Sequence, residues 1–474
     1  MNDRLVSLAE QRFGRRPDGL LDLAADGSTR QYFRLVWDGE RTVVGALGPD
    51  REENRAFLSF AQAFRAAGLP VPEIFAADEA AGAWLEEDLG DTTLFRALSS
   101  ARAGATGGEF PAAIVPLYRR VLSVLPRFQV EGHRVVDYAR AYPRGAFDRQ
   151  SIGWDLNYFK YHFLKLAGVP FNEQRLERDF ARLTAFVLQA PADTFLYRDF
   201  QSRNVMIRDG EPWFVDFQGG RKGAPHYDVA SLLYDAKAAI PPRLRAELLE
   251  HYLGELERVY PVDRSRFREL FTGFVLVRLM QAMGAYGYRG FFERKRRFLE
   301  SVPHAARNLD DLLAAGLPLE VPELELAFRH IVERWTARPA DRAARAALTV
   351  VIKSFSYRDG VPADGEGHGG GYVFDCRALS NPYHVEALRD LTGRDQPVAD
   401  WIERQAEAQE FWANVSALAD AHVERWLDRG FASLTVAFGC TGGRHRSVYF
   451  AEKLAAHLRA RFPQVAVRVE HGKL

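Results

Sequence analysis

Cysteine is nearly absent. Cys376 and Cys440 are the only two in 474 residues, too few for a disulfide framework and suited to a reducing compartment. No run of about eighteen apolar residues occurs, so no membrane span is expected. The opening MNDRLVSLAEQRFGRR lacks the apolar stretch of a secretory leader, which makes the cytoplasm the expected location. Net charge is absent too, with 63 Lys and Arg against 63 Asp and Glu. A surface that grips nucleic acid along its whole extent is usually basic, so any RNA contact must come from a local patch. A phosphate-binding G-x-x-x-x-G-K-S/T loop is also missing. What is present is the profile of a globular protein, 47% apolar and 27% charged, in a chain long enough for at least two domains.

The chain changes character once. Arg30–Trp37 and Arg41–Leu47 flank Asp38-Gly39, a hairpin signal. A helix is expected from Glu52 to Ala67, ended by Gly68 with Pro70 beyond, and a strand from Trp84 to Leu89. Helical spacing dominates from Phe110 to Ala190. Two short β-like runs then stand close together, Thr194–Tyr197 and Trp213–Phe217, before helices resume to about Arg334. A few strands followed by helices around one strand pair is the order of a two-lobed α+β domain over 1–335. The Ala/Arg-rich stretch 336–347 reads as a linker. From 348 to 474 the pattern resets to strands at Leu348–Ser354, Tyr372–Cys376 and Leu434–Phe438, with helices at Val398–Leu427 and Ser447–Phe462 and a last strand at Val465–Glu470. That is a small α/β domain.

The strongest chemical signal is LYRDFQSRNVMIRDGEPWFVDFQ, residues 196–218. Phosphoryl transfer from ATP needs a carboxylate beside the attacking hydroxyl and oxygen ligands for the magnesium ions that bridge the phosphates. Asp199 followed five residues later by Asn204 has the spacing of a catalytic carboxylate and a metal ligand. Asp216, at the end of an apolar strand and followed by Phe217, fits a second metal ligand. Each carboxylate alone reads as a turn cap or strand terminus; the ordered set points to a kinase.

These residues, with Asp26–Leu35 (DGSTRQYFRL), Glu86–Thr92 (EEDLGDT), Trp154–Phe163 (WDLNYFKYHF) and Pro225–Leu233 (PHYDVASLL), resemble the aminoglycoside-phosphotransferase, protein-kinase-like superfamily. Within it they look most like the bacterial N-acetylmuramate/N-acetylglucosamine kinases of the AmgK type, which phosphorylate an anomeric hydroxyl. The resemblance implies an ATP and Mg2+ site with an amino-sugar substrate. Gly27, Ser28 and Thr29 would cradle phosphate, and the hinge with Glu86, Glu87 and Leu89 would face adenine. Asp228 would be a buried carboxylate bonding the catalytic loop, and Glu53 a candidate for the acid on the helix after the hairpin. Two departures stand out. Tyr197 occupies the position of the usual catalytic-loop histidine, and Arg41–Leu47 has no lysine for the α- and β-phosphates, leaving Arg34 or Arg41 as substitutes.

The second strong signal is LTVAFGCTGGRHRSVYFAEKLAAHL. A strand runs into a Gly-rich turn and then a helix, which aims backbone N–H groups and the helix dipole at one spot. Gly439, Cys440, Thr441, Gly442, Gly443, Arg444, His445, Arg446 and Ser447 form the candidate phosphate loop, with Ser447 placed to cap the helix. Cys440–Ser447 also fits C-x-x-G-x-x-R-S, the loop of cysteine-dependent phosphatases, although Gly439 replaces the histidine usual before that cysteine. With Ile352–Phe355, Tyr372–Ala378, Asn381-Pro382-Tyr383 and Leu391–Gly393, this segment resembles the C-terminal domain of RapZ, a bacterial RNase adapter that senses glucosamine-6-phosphate. The resemblance implies a phosphorylated amino-sugar effector and an RNA partner. Arg444, Arg446, Lys453, Arg459, Arg461, Arg468 and Lys473 against Glu452 and Glu470 would supply the basic patch. Three functions follow: an amino-sugar kinase with a phosphosugar-binding domain, an RNA-binding adapter with a weak kinase half, or a kinase–phosphatase using Cys440.

Overall fold

The computed structural model describes residues 2–23, 30–39, 41–103, 109–336, 348–362, 371–429 and 431–473. It divides into two compact units, Met1–Thr336 and Ala337–Leu474. Gly27, Ser28 and Thr29 lie outside the described residues, as do 337–347 of the expected linker; Thr336 itself ends a helix.

The first unit opens with helix α1 (Asn2–Phe13) and an antiparallel sheet in the order β1-β2-β3-β5-β4 among the described residues. Its strands are Gly19–Leu23, Gln31–Trp37, Arg41–Leu47, Ile74–Asp78 and Ala83–Glu87, numbered β1 to β5 along the chain. The β2–β3 turn carries Asp38 and Gly39 at positive φ, the backbone that this dipeptide supplies in a tight hairpin. Alternation along β2 separates two faces. Phe33, Leu35 and Trp37 are buried with Leu5 and Ala9 of α1, while Tyr32 and Arg34 point the other way. Helix α2 (Arg51–Ala66) starts at Asp50, whose carboxylate accepts from the N–H groups of Glu52 and Glu53, a standard cap. It buries Phe57, Phe60, Ala61 and Phe64 at helical spacing.

Helices make up most of the rest of this unit. The longest, Arg264–Gly287, packs on Arg149–Phe159 and His226–Leu233. The stretch Arg264–Phe292 is long and apolar enough to cross a bilayer by composition, but 72% of its most apolar window is buried. Gly287 is required there, because a Cβ would lie 2.0 Å from the His162 carbonyl oxygen. The single strand pair expected near residue 200 is two separate pairs. Strand β6 (Thr194–Leu196) pairs with β9 (Arg221–Gly223), and β7 (Val205–Arg208) with β8 (Glu211–Phe214). Positive φ at Arg198 and Asp216 turns the chain out of β6 and away from β8, so the two β-like runs do not pair with each other as strands.

The second unit has a parallel sheet in the order β11-β12-β10-β13 among the described residues. Its strands are β10 (Thr349–Ser356), β11 (Gly371–Asp375), β12 (Ser433–Cys440) and β13 (Ala466–His471). The expected helix Val398–Leu427 is two helices, Gln396–Glu403 and Ala406–Arg429. The helix Arg446–Arg461 follows β12 directly and packs on the sheet. In open parallel sheets of this kind, ligands bind outside the carboxyl ends of the strands, which here is where the Gly-rich loop lies.

Candidate active site and the C-terminal Gly-rich loop

The residues of the candidate catalytic loop are held from behind by one carboxylate. Asp228, fully buried on the helix His226–Leu233, accepts from the backbone N–H of Tyr197 at 2.8 Å and of Arg198 at 3.0 Å. Burial pushes its carboxyl up to about 7 against the pull of those two N–H groups. Arg198 has φ +84, a conformation that a non-glycine residue holds only when its surroundings impose it. Its guanidinium forms a bidentate pair with Asp155 at 2.6 and 2.7 Å and donates to the Tyr227 hydroxyl at 2.8 Å. Tyr197, in place of the usual histidine, is buried and donates from its hydroxyl to the Val215 carbonyl at 2.6 Å. That bond ties the strand before Asp216 to the loop before Asp199.

With the backbone fixed, the expected site residues converge. Asn204 donates from Nδ2 to the Asp199 carbonyl at 2.8 Å and to Asp216 Oδ2 at 2.9 Å. Gln218, to which the sequence assigned no role, donates to Asp216 Oδ1 at 2.8 Å. Asp216 is held above the usual carboxylate range by burial and then by the nearby charge of Asp199, with Arg30 pulling the other way. The Asp199 carboxylate accepts no hydrogen bond among the described residues and is partly exposed, as a group that meets a substrate must be. Two close acidic groups, both partly exposed, form a place where a divalent cation would relieve repulsion through oxygen donors.

The hinge differs from expectation at side-chain level. Glu86 does not face outward toward a base: it is 7% exposed, accepts from Trp84 Nε1 at 2.8 Å and is pushed up to about 7 by burial. Glu87 pairs with Arg208 at 2.6 Å, and Leu89 is buried. Arg34 and Arg41, the two substitutes for the missing lysine, are both committed elsewhere. Arg34 forks onto Asp88 at 2.6 and 3.0 Å and reaches Asp91 at 3.0 Å. Arg41 lies over the rings of Phe13 and Trp37, on the α1 side of the sheet.

In the second unit, β12 ends at Cys440 and the helix begins at Arg446. Gly443 has φ +69, and a Cβ there would lie 2.8 Å from the Ser356 nitrogen, so the turn requires glycine. Ser447 does not cap the helix; its Oγ lies 3.2 Å from Cys440 Sγ. Burial raises the Cys440 thiol, but hydrogen bonding from Ser447 and from the Gly443 N–H, with the charge of Arg446, leaves it below the ordinary value. Arg446 itself is 3% exposed and donates from Nη1 to the Leu379 carbonyl at 2.6 Å, with Nε buried and lacking a hydrogen-bond partner among the described residues. His445 is also buried, 3.2 Å from the Leu388 carbonyl, and Arg444 donates to the Asp390 carbonyl at 2.6 Å. The basic stretch beyond the loop is largely paired. Lys453 meets Glu403, Arg461 meets Asp420, Arg468 meets Glu470 and Lys473 meets Asp359.

A model of the phosphotransferase enzyme family matches residues 20–266, just over half of the 474 residues. The chain belongs to that family. A model of the RapZ C-terminal domain matches residues 348–474. A nucleotide-binding protein of Methylobacillus flagellatus is 37% identical over 174 residues, 36% of this chain and 57% of that protein. One from Herminiimonas arsenicoxydans is 44% identical over 133 residues, 27% of this chain and 42% of that protein. The chain thus spans about half the length of these relatives. Among solved structures, the amicoumacin kinase hAmiN with AMP-PNP and Ca2+ aligns over 70% of this chain and 93% of its own at 13% identity and a TM-score of 0.44. A choline/ethanolamine kinase family protein of Mesorhizobium loti aligns over 70% and 99% at 14% identity and a TM-score of 0.45.

Proposed function

We propose that the phosphotransferase-family unit is an ATP- and Mg2+-dependent kinase of a free amino sugar, and that the RapZ-like unit binds a phosphorylated amino sugar. The observation that carries the kinase reading is Asn204 bridging the Asp199 carbonyl and Asp216 Oδ2 on a loop fixed by Asp228. Asp199 orients the sugar hydroxyl and takes its proton as the oxygen bonds to the γ-phosphorus and ADP leaves. Asn204 and Asp216 would hold Mg2+, which supplies charge neutralisation on the phosphates. Gln218 and Asn204 each donate to one oxygen of the Asp216 carboxylate and keep it from rotating. A coupled ATPase assay over a panel of free sugars tests this reading. Sugar-dependent ADP release that disappears in Asp199→Asn supports it, and no stimulation by any amino sugar refutes it.

In the second unit, the loop from Gly439 to Ser447 offers N–H groups and a helix N-terminus to a phosphate ester. Cys440 gives one specific observation for the alternative of phosphoester hydrolysis, namely a thiol held below its ordinary range with Ser447 Oγ at 3.2 Å. Phosphate released from a phosphosugar and lost in Cys440→Ser would select it. The adapter reading has less support, because four of the seven cations that would meet RNA phosphates, Lys453, Arg461, Arg468 and Lys473, already face carboxylates.

A further inference from the structure

The family reading leaves the nucleotide phosphates without a cation. Strand β3, RTVVGAL, contains no lysine, and its one basic residue, Arg41, lies against Phe13 and Trp37. Arg34 is held by Asp88 and Asp91. A third arginine stands on the face of the sheet opposite Arg41. Arg30 immediately precedes β2 and, by strand alternation, shares a face with Tyr32 and Arg34, opposite the Phe33–Leu35–Trp37 side that packs on α1. Register places Tyr32 opposite Ala46, and Ala46 opposite Trp84.

On that face Arg30 is 2% exposed. Its guanidinium lies 5.3 Å from the ring centroids of both Phe57 and Trp84 and 3.5 Å from Glu53. Glu53 and Phe57 are four residues apart on α2, hence on one side of the helix. Phe57 in turn stacks on Phe217, the residue after Asp216, with centroids 5.0 Å apart and planes 12° apart. One helix face therefore holds an acid against Arg30 and a ring against the neighbour of the candidate metal carboxylate. In the sequence, Arg30 also follows directly on Asp26-Gly27-Ser28-Thr29, the segment expected to meet phosphate. A guanidinium presents a planar fork suited to two phosphate oxygens, and one held by aromatic faces and a carboxylate is already oriented.

We propose that Arg30, positioned by Glu53, is the cation of the nucleotide phosphate subsite, in place of the lysine that β3 lacks. The proposal rests on the kinase reading, and its test separates the two. Calorimetric titration of the full-length wild type, Arg30→Met, Arg30→Lys and Arg41→Met uses MgATP and adenosine as probes. Arg30→Met is expected to weaken MgATP binding on the order of tenfold to a hundredfold and to leave adenosine binding as it is. Arg30→Lys, which keeps the charge without the fork, falls between, and Arg41→Met matches the wild type with both probes. If Arg30→Met is poorly folded, Glu53→Gln with Arg30→Lys replaces it, and the selective loss of MgATP affinity is still expected. Unchanged MgATP affinity, or equal weakening of MgATP and adenosine, overturns the role of Arg30 while leaving the kinase intact. A wild type that binds no nucleotide overturns both.

Discussion

The helix that carries Asp228 begins with a histidine whose titration sets a measurable acid sensitivity. His226 is 3% exposed, stacked on Phe267 with centroids 3.7 Å apart and near Phe274 at 4.8 Å. Both ring nitrogens are buried and without a hydrogen-bond partner among the described residues. Burial pushes its pKa down to about 3 from 6.5. The folded state therefore keeps His226 neutral where the unfolded chain would protonate it. Stability from this group is fully present above about pH 6.5 and is lost as pH falls toward 3. At pH 5 an unfolded histidine is mostly protonated, and the linkage relation gives a loss of about 2 kcal/mol relative to pH 8. His226→Phe keeps the stack and removes two unpaired polar atoms, so it should be neutral or stabilising at pH 8. Urea unfolding of both proteins at pH 8 and pH 5 checks this, because every other titration cancels in the difference between them. The advantage of Phe at position 226 should grow by about 2 kcal/mol on acidification. An advantage that stays constant or shrinks would refute the burial argument.

Asp199→Asn should lower sugar-dependent turnover by a factor of about a thousand while leaving the unfolding transition in place, since no core volume is lost; turnover near wild type would remove Asp199 from the mechanism. Asp228→Ala strands two buried N–H groups and should destabilise the first unit by about 2–6 kcal/mol, with loss of turnover even well below the new melting point; a change under ~1 kcal/mol would mean that the two hydrogen bonds are not what fixes the loop. Cleavage between Trp335 and Leu348 should give two pieces that each unfold cooperatively, as judged by separate denaturant transitions, and one piece that melts without a transition would count against independent units. Glucosamine-6-phosphate at a hundredfold excess over its Kd should stabilise the second unit by about 2.7 kcal/mol. Cys440→Ser should keep that melting shift, and its loss there would tie binding to the thiol.

Local features of the chain were sufficient for much of this. The Asp199, Asn204 and Asp216 spacing lies within one short loop–hairpin–loop stretch, so its convergence was readable before any fold was known. The same holds for β12 running through Gly443 into the Arg446–Arg461 helix, because a strand, a left-handed turn and a helix are coded by adjacent residues. Helix α2 was legible too, from Gly68 and Pro70 just beyond its end, while the cap at Asp50 is a finding of the structure.

What tertiary structure decided is the partner of each charged side chain. Arg198 and Asp155, and Arg30 and Glu53, are far apart in sequence, and an arginine carries no local mark of the carboxylate it will meet. Arg446 is such a case: its position after a Gly-rich loop suggests a phosphate clamp, and only packing shows its buried Nη1 donating to the carbonyl of Leu379. Glu86 reads as a hinge residue but faces Trp84 within the sheet, because strand alternation sends it inward while Glu87 goes out to Arg208. Spacing along the chain fixed which groups this protein has and which of them are neighbours in sequence. Only packing, which brings distant segments together and excludes water from them, fixed which charges are paired and which stay available for chemistry.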